Sequence, residues 1–210
     1  MITDINQLDF DKNYTYADYL TWQFRERVEL IRGKIFRMSP APGTDHQRIV
    51  IKMASKLNIF LEQDICEVFT APFDVRLPVK DKKGNDDTVV QPDICVVCDP
   101  SRIDSQGCKG APDLIVEIVS KSSVKKDLNE KYDLYQQCGV QEYWVIQPGN
   151  RTINVFTLDN DCKYQVARPK TYGDRVSSQV LPGLTVNLDD VFSNLLEEPE
   201  EGYGDEVERF

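Results

Sequence analysis

The sequence is poor in several things that would announce a function at once. One of its 210 residues is a histidine, His46. That excludes a centre built from two or three clustered imidazoles. No apolar run approaches the roughly 18 residues that a bilayer-spanning helix needs, so no membrane association is expected. The opening stretch MITDINQLDFDKNYTY is polar and acidic and lacks the basic start and apolar middle of a secretory signal. A cytoplasmic location is the expectation. Positive charge is in the minority, with 25 Lys and Arg against 35 Asp and Glu and a net charge of −10, which opposes a polyanion spread over the whole surface. No internal repeat and no zinc-finger-like DNA-reading motif is present. Cys95 and Cys98 form a C-x-x-C with no second copy. They lie in a strand-like run, where residues three apart point to opposite faces. All six cysteines are therefore expected as reduced thiols, without a metal or redox role.

The charge is unevenly spread. Residues 197–210, EEPEEGYGDEVERF, hold seven acids and one Arg, so the remainder carries 28 acids against 24 bases. The body is only mildly acidic, and a local basic surface is compatible with it. The chain divides into an N-terminal arm at 1–14, one domain at 15–192 and an acidic tail at 193–210, the tail expected to be solvated and disordered. A domain of this length buries a sizeable core.

Along the domain, TYADYLTWQF reads as a short helix capped by Thr15. VELIRGKIFRM alternates about an Arg-Gly turn and reads as a hairpin. TDHQRIVIKMASKLNIFLEQ repeats apolar residues at helical spacing (Ile49, Val50, Met53, Leu57, Phe60), with Thr44 or Asp45 as cap and His46 on the same stripe. Three strand-like runs follow: EVFTAPFDVRLPV, TVVQPDICVVCD and APDLIVEIVS. SVKKDLNEKYDLYQQCG is a helix stopped by Gly139, and QEYWVIQPG with RTINVFTLD a hairpin. The order helix, three strands, helix, strand implies an α/β fold with a central mixed sheet, extended by an N-terminal helix and hairpin.

Strand alternation sets Asp113, Ile115, Glu117 and Val119 on one face of the third run, opposite Leu114, Val116 and Ile118. A carboxylate among Leu, Ile and Val needs a partner. If the second and third runs are neighbours, Asp93 and Glu117 converge at one end of the sheet. Two such carboxylates suit a hard divalent cation, Mg²⁺ or Mn²⁺; turn capping or a lysine partner would serve as well. On the following helix the stripe Val124, Leu128, Tyr135, Cys138 lacks an apolar member where Lys131 stands. That turns the lysine toward the sheet, unless its stem carries the amine out to water. Asp127, four residues earlier, is a possible ion-pair partner.

The segments VVQPDICVV, PDLIVEIVS and KKDLNEKYDLYQQCGVQEYWVI, with VELIRGKIFRMSPAPGTDHQRI upstream, resemble the bacterial putative restriction endonuclease family of Uma type, within the PD-(D/E)XK nuclease superfamily. The likeness runs over roughly residues 15–192, and the superfamily core has the same element order. The resemblance implies a restriction-endonuclease-like fold and a metal-dependent endonuclease acting on DNA. It implies Asp93 and Glu117 as metal ligands and Lys131 as the lysine supplied from the helix, because Val119 stands where the superfamily has its acid-x-Lys lysine. Lys121 is the rival for that part. Glu29 resembles an additional acid from the hairpin, and His46 a His at the start of the first core helix. Arg48, Lys52, Lys56, Lys121, Lys125 and Lys126 are candidates to hold the DNA backbone, against the plainer reading of a solvated helix face. A homodimer would suit the cutting of two strands. The alternative is a catalytically silent nuclease-fold protein that binds DNA or protein, favoured by the acidic surface and by Val119.

Overall fold

The computed structural model describes residues 1–38, 43–79, 83–119 and 130–196. After the first turn of chain, α1 (Tyr16–Tyr19) begins with a capping box, in which Thr15 and Asp18 satisfy one another's backbone N–H groups. The hairpin forms where the alternation predicts it. Strands β1 (Val28–Ile31) and β2 (Lys34–Arg37) pair antiparallel across Arg32 and Gly33. Both turn residues have positive φ, 50° and 79°, the primed geometry that suits the right-handed twist of a hairpin.

Helix α2 (Thr44–Phe60) buries Ile49, Met53 and Leu57. Its N-cap is Gly43, with no side-chain cap, rather than Thr44 or Asp45. The Asp45 carboxylate instead pairs with Arg48 at 3.0 Å and accepts from the backbone N–H of Leu196. The first two strand-like runs each split in two. Strands β3 (Glu67–Thr70) and β4 (Val75–Arg76) lie in different sheets, as do β5 (Val89–Val90) and β6 (Ile94–Val97). Pro72 and Pro92 interrupt them because proline has no N–H for the ladder. A small hairpin, β7 (Ile103–Asp104) with β8 (Gly107–Lys109), precedes β9 (Leu114–Ile118). Next come α3 (Tyr132–Cys138), β10 (Glu142–Gln147) and β11 (Thr152–Leu158). Gly139 ends α3 in the left-handed conformation, φ 84°. Strands β12 (Tyr164–Val166), β13 (Lys170–Thr171), β14 (Arg175–Ser177) and β15 (Thr185–Asn187) lead to α4 (Leu188–Phe192).

The central sheet has the order β12–β11–β10–β9–β6–β3, with β13 beside β11; β9 and β10 are parallel and the other pairs antiparallel. Its core follows the chain as α2, β3, β6, β9, α3, β10, the expected helix, three strands, helix, strand. One face, with Ile94, Val96, Leu114, Val116 and Ile118, packs on α2 and α4. The other, with Cys95, Val97, Ile115 and Val119, packs on α3 and on a second sheet of order β2–β1–β5–β4–β8–β7. Fully burying one such aliphatic side chain stabilises by about 1.5–3 kcal/mol, and these two faces carry most of the hydrophobic core. Glu142 of β10 is fully buried, and its carboxylate accepts from the Ser178 hydroxyl and the backbone N–H groups of Gln179 and Val180. That ties the β14–β15 segment to the central sheet.

Cysteine pairing departs from expectation. Cys66 and Cys98 form a disulfide; they flank β3 and β6, whose antiparallel register sets Glu67 opposite Val97 and so brings the two sulfurs together. Cys95 and Cys108 are buried thiols, and Cys95 and Cys98 do face opposite clusters. No helix among the described residues is long and apolar enough to cross a membrane. Residues 197–210 of the acidic tail lie outside the described residues.

Candidate active site

Strands β6 and β9 are antiparallel neighbours, with Ile94 opposite Val116. One step further along the register sets Asp93 opposite Glu117 at the end of β6, and Glu117 points to the face that α3 covers. Asp93 Oδ2 accepts from the backbone N–H of Ile118 at 2.8 Å and lies 3.1 Å from His46 Nε2. His46 therefore meets the site from the first turn of α2, on the far side of the sheet. Its other nitrogen, Nδ1, is buried and has no hydrogen-bond partner among the described residues.

Lys131 stands immediately before α3 and points inward. Its amine is 2.8 Å from Glu117 Oε1 and 3.0 Å from Glu29 Oε1, and all three residues are only 5% exposed. Glu29 comes from β1 of the second sheet, and the backbone N–H of Gln91 holds its Oε1 at 2.9 Å. The structure thus brings together Asp93, Glu117, Lys131, Glu29 and His46 from five separate elements. Tyr135 was missed as a polar contributor. Its hydroxyl donates to Glu117 Oε1 at 2.8 Å, and it lies one helical turn beyond Lys131 on the same face. Its place on the buried stripe was legible in the sequence, but a stripe does not say what a buried hydroxyl bonds.

Electrostatics set the state of this cluster. Burial, reinforced by the nearby Asp93 and Glu29 charges and opposed by Lys131, pushes the Glu117 carboxyl up to about 8. Burial likewise raises the Tyr135 hydroxyl well above its ordinary value, so it remains a neutral donor. Glu117 and Glu29 share one ammonium, and the Asp93 charge acts on Glu117 as well, so Lys131 alone does not balance all three if they are ionised. Asp93 Oδ1 and Glu117 Oε2 have no hydrogen-bond partner among the described residues. This donor set fits a hard divalent cation, which takes oxygen ligands and, for Mg²⁺, uses one or two carboxylates with waters and substrate phosphate. Among the described residues no three His, Cys, Asp or Glu gather into a ready-made cage.

The cations expected to hold a nucleic-acid backbone are differently disposed. Lys52 donates to the backbone carbonyl of Val191 at 3.3 Å and to the Ser193 hydroxyl at 2.8 Å, while Lys56 pairs with Asp190 at 2.7 Å and Arg48 with Asp45. These side chains fasten the C-terminal segment to α2. Lys121, Lys125, Lys126 and Asp127 lie outside the described residues.

A family profile described as "Putative restriction endonuclease", Uma2, matches residues 16–189. The chain belongs to this family. The Uma2 match spans every residue of the cluster, from Glu29 to Tyr135. Two proteins of Synechocystis sp., both described as uncharacterised, are similar over most of their length. One is 23% identical over 85% of this chain and 90% of its own; the other is 27% identical over 78% and 84%. A solved structure from Anabaena variabilis, described as a putative nuclease, superposes with a TM-score of 0.66 at 23% identity, covering 86% of this chain and 98% of that one. The fold is thus α/β and nuclease-like, with the mixed central sheet and the added helix and hairpin read from the sequence.

Proposed function

We propose that the protein is a metal-dependent endonuclease that hydrolyses DNA phosphodiester bonds. One observation carries the reading: two carboxylates on adjacent strands each keep an uncommitted oxygen, and a buried ammonium lies 2.8 Å from one of them. Asp93 and Glu117 would hold Mg²⁺ or Mn²⁺, which when bound makes a water molecule more acidic and draws charge from a phosphoryl oxygen. Lys131, fixed by two carboxylates, offers positive charge where negative charge develops on the phosphate. Glu29 holds that lysine in place, and Tyr135 engages Glu117 Oε1 and leaves Oε2 uncommitted. His46 steadies Asp93 from the opposite side of the sheet. Water adds to phosphorus and the bond to the 3′ oxygen breaks, leaving a 5′-phosphate and a 3′-hydroxyl. Cutting both strands of a duplex favours two sites, hence a homodimer.

The test is cleavage of plasmid and single-stranded DNA with Mg²⁺ or Mn²⁺, beside Asp93→Ala and Glu117→Ala. Both variants are expected to lose cleavage. Equal activity in the wild type and both variants sinks the assignment and leaves the silent nuclease-fold binding module.

A further inference from the structure

Gln91 stands two residues before Asp93 and is almost buried, 9% exposed. Its backbone N–H holds Glu29, and its side chain reaches the other way. Gln91 Nε2 donates to Asp74 Oδ1 at 2.8 Å, beside the Tyr19 hydroxyl, which itself donates to the same Asp74 oxygen at 3.1 Å. Asp74 only accepts, so it fixes which end of the amide is nitrogen. Gln91 Oε1 must then face Arg27, and it accepts from Arg27 Nε at 3.0 Å and Nη2 at 2.8 Å.

Arg27 is thereby clamped along one edge by a neutral oxygen. No carboxylate pairs with it among the described residues, and its Nη1 makes no hydrogen bond there. Strand alternation gives it the same direction as Glu29. Ile31, two residues further on, belongs to the cluster under α3, whereas Val28 and Leu30 belong to the cluster on the opposite side of the hairpin. One residue, Gln91, therefore holds both Glu29, through its backbone N–H, and a half-buried guanidinium, through its side chain. A guanidinium with a rigid fork and a free edge is suited to phosphate.

We propose that Arg27 is a phosphate seat at the rim of the site, receiving a DNA phosphate next to the bond that is cut. This rests on the nuclease reading of the same site. The test is duplex binding by fluorescence anisotropy over a range of salt, with Ca²⁺ in place of Mg²⁺, for the wild type, Arg27→Gln and Arg27→Lys. Losing one phosphate contact lowers the slope of log affinity against log salt by about 0.9. Arg27→Gln is expected to show that loss and Arg27→Lys, which keeps the charge, to retain the wild-type slope. An unchanged slope in Arg27→Gln overturns the phosphate seat while leaving the nuclease reading intact. A slope lowered equally in both variants, together with a lowered melting midpoint, makes Arg27 a structural clamp and also overturns it. A wild type that binds no DNA overturns the nuclease reading and this inference with it.

Discussion

Replacing Lys131 by Met removes an ammonium while roughly preserving the packed stem. The amine lies 2.8 Å from Glu117 and 3.0 Å from Glu29, both buried. Burial already pushes Glu117 up to about 8, so at pH 7 without metal it carries its proton. The substitution leaves these two buried carboxyl groups without their shared counter-charge. Breaking a buried pair from one side costs about 3–5 kcal/mol. An independent bound comes from protonation: each pH unit above the ordinary glutamate value costs about 1.4 kcal/mol, so keeping one carboxyl neutral at pH 7 costs about 3.5 kcal/mol. The two agree, and Lys131→Met should lose about 3.5 kcal/mol at pH 7. The sign of the pH dependence follows from linkage. A carboxyl whose folded pKa is raised contributes stability that is full below the unfolded value and lost as pH rises through the folded value. The deficit of Lys131→Met should therefore shrink to about 1 kcal/mol at pH 5. Urea unfolding midpoints of both proteins between pH 5 and 8, without divalent cations and with unchanged denaturant slopes, measure it. A deficit of the same size at every pH would refute the charge argument and assign the loss to packing.

Further outcomes follow from single contacts. Tyr135→Phe removes a hydrogen bond to the ionised form of Glu117, a bond of about 1.5–3 kcal/mol, so the carboxyl should rise further. Mn²⁺ affinity by calorimetry, expected to increase with pH as the ion displaces the proton, should shift upward by about one to two pH units; superimposed curves would remove Tyr135 from the site. Gly107→Ala would set a Cβ 2.2 Å from the Asp74 carbonyl oxygen at a φ of +112°. A loss of about 3 kcal/mol is expected, lowering Tm by about 6–12 °C; a Tm within about 2 °C of wild type would show that β8 can move aside.

Much of this was legible from spacing. The Arg32–Gly33 turn, the Ile49–Met53–Leu57 stripe and the two faces around Glu117 are short-range patterns, and local geometry decides them. The inward Lys131 was legible for the same reason, as a gap in an apolar stripe. What escaped depends on contacts distant in sequence. EVFTAPFDVRLPV and TVVQPDICVVCD each read as one strand, but Pro72 and Pro92 each send the chain to a different sheet, a choice made by tertiary pairing. Asp45 looked like a helix cap and is engaged instead by Arg48 and by Leu196, 151 residues away. Strands β7 and β8 are too short to show a period. Arg48, Lys52 and Lys56 looked like a DNA-facing row because sequence shows a helix face but not the segment lying against it. The Cys66–Cys98 pairing appears only once β3 and β6 are set side by side.

The lysine's position on a helix has a consequence for how this site tolerates change. Where acid and lysine share one strand, two residues apart, their separation is fixed by the pleat and no residue can be inserted between them. Here Glu117 and Lys131 are held by different elements, and Lys131 is located together with Tyr135 by the docking of α3 on the sheet. The distance between acid and lysine is therefore set by packing and not by how many residues intervene, so the site's chemistry does not depend on a fixed spacing in the sequence.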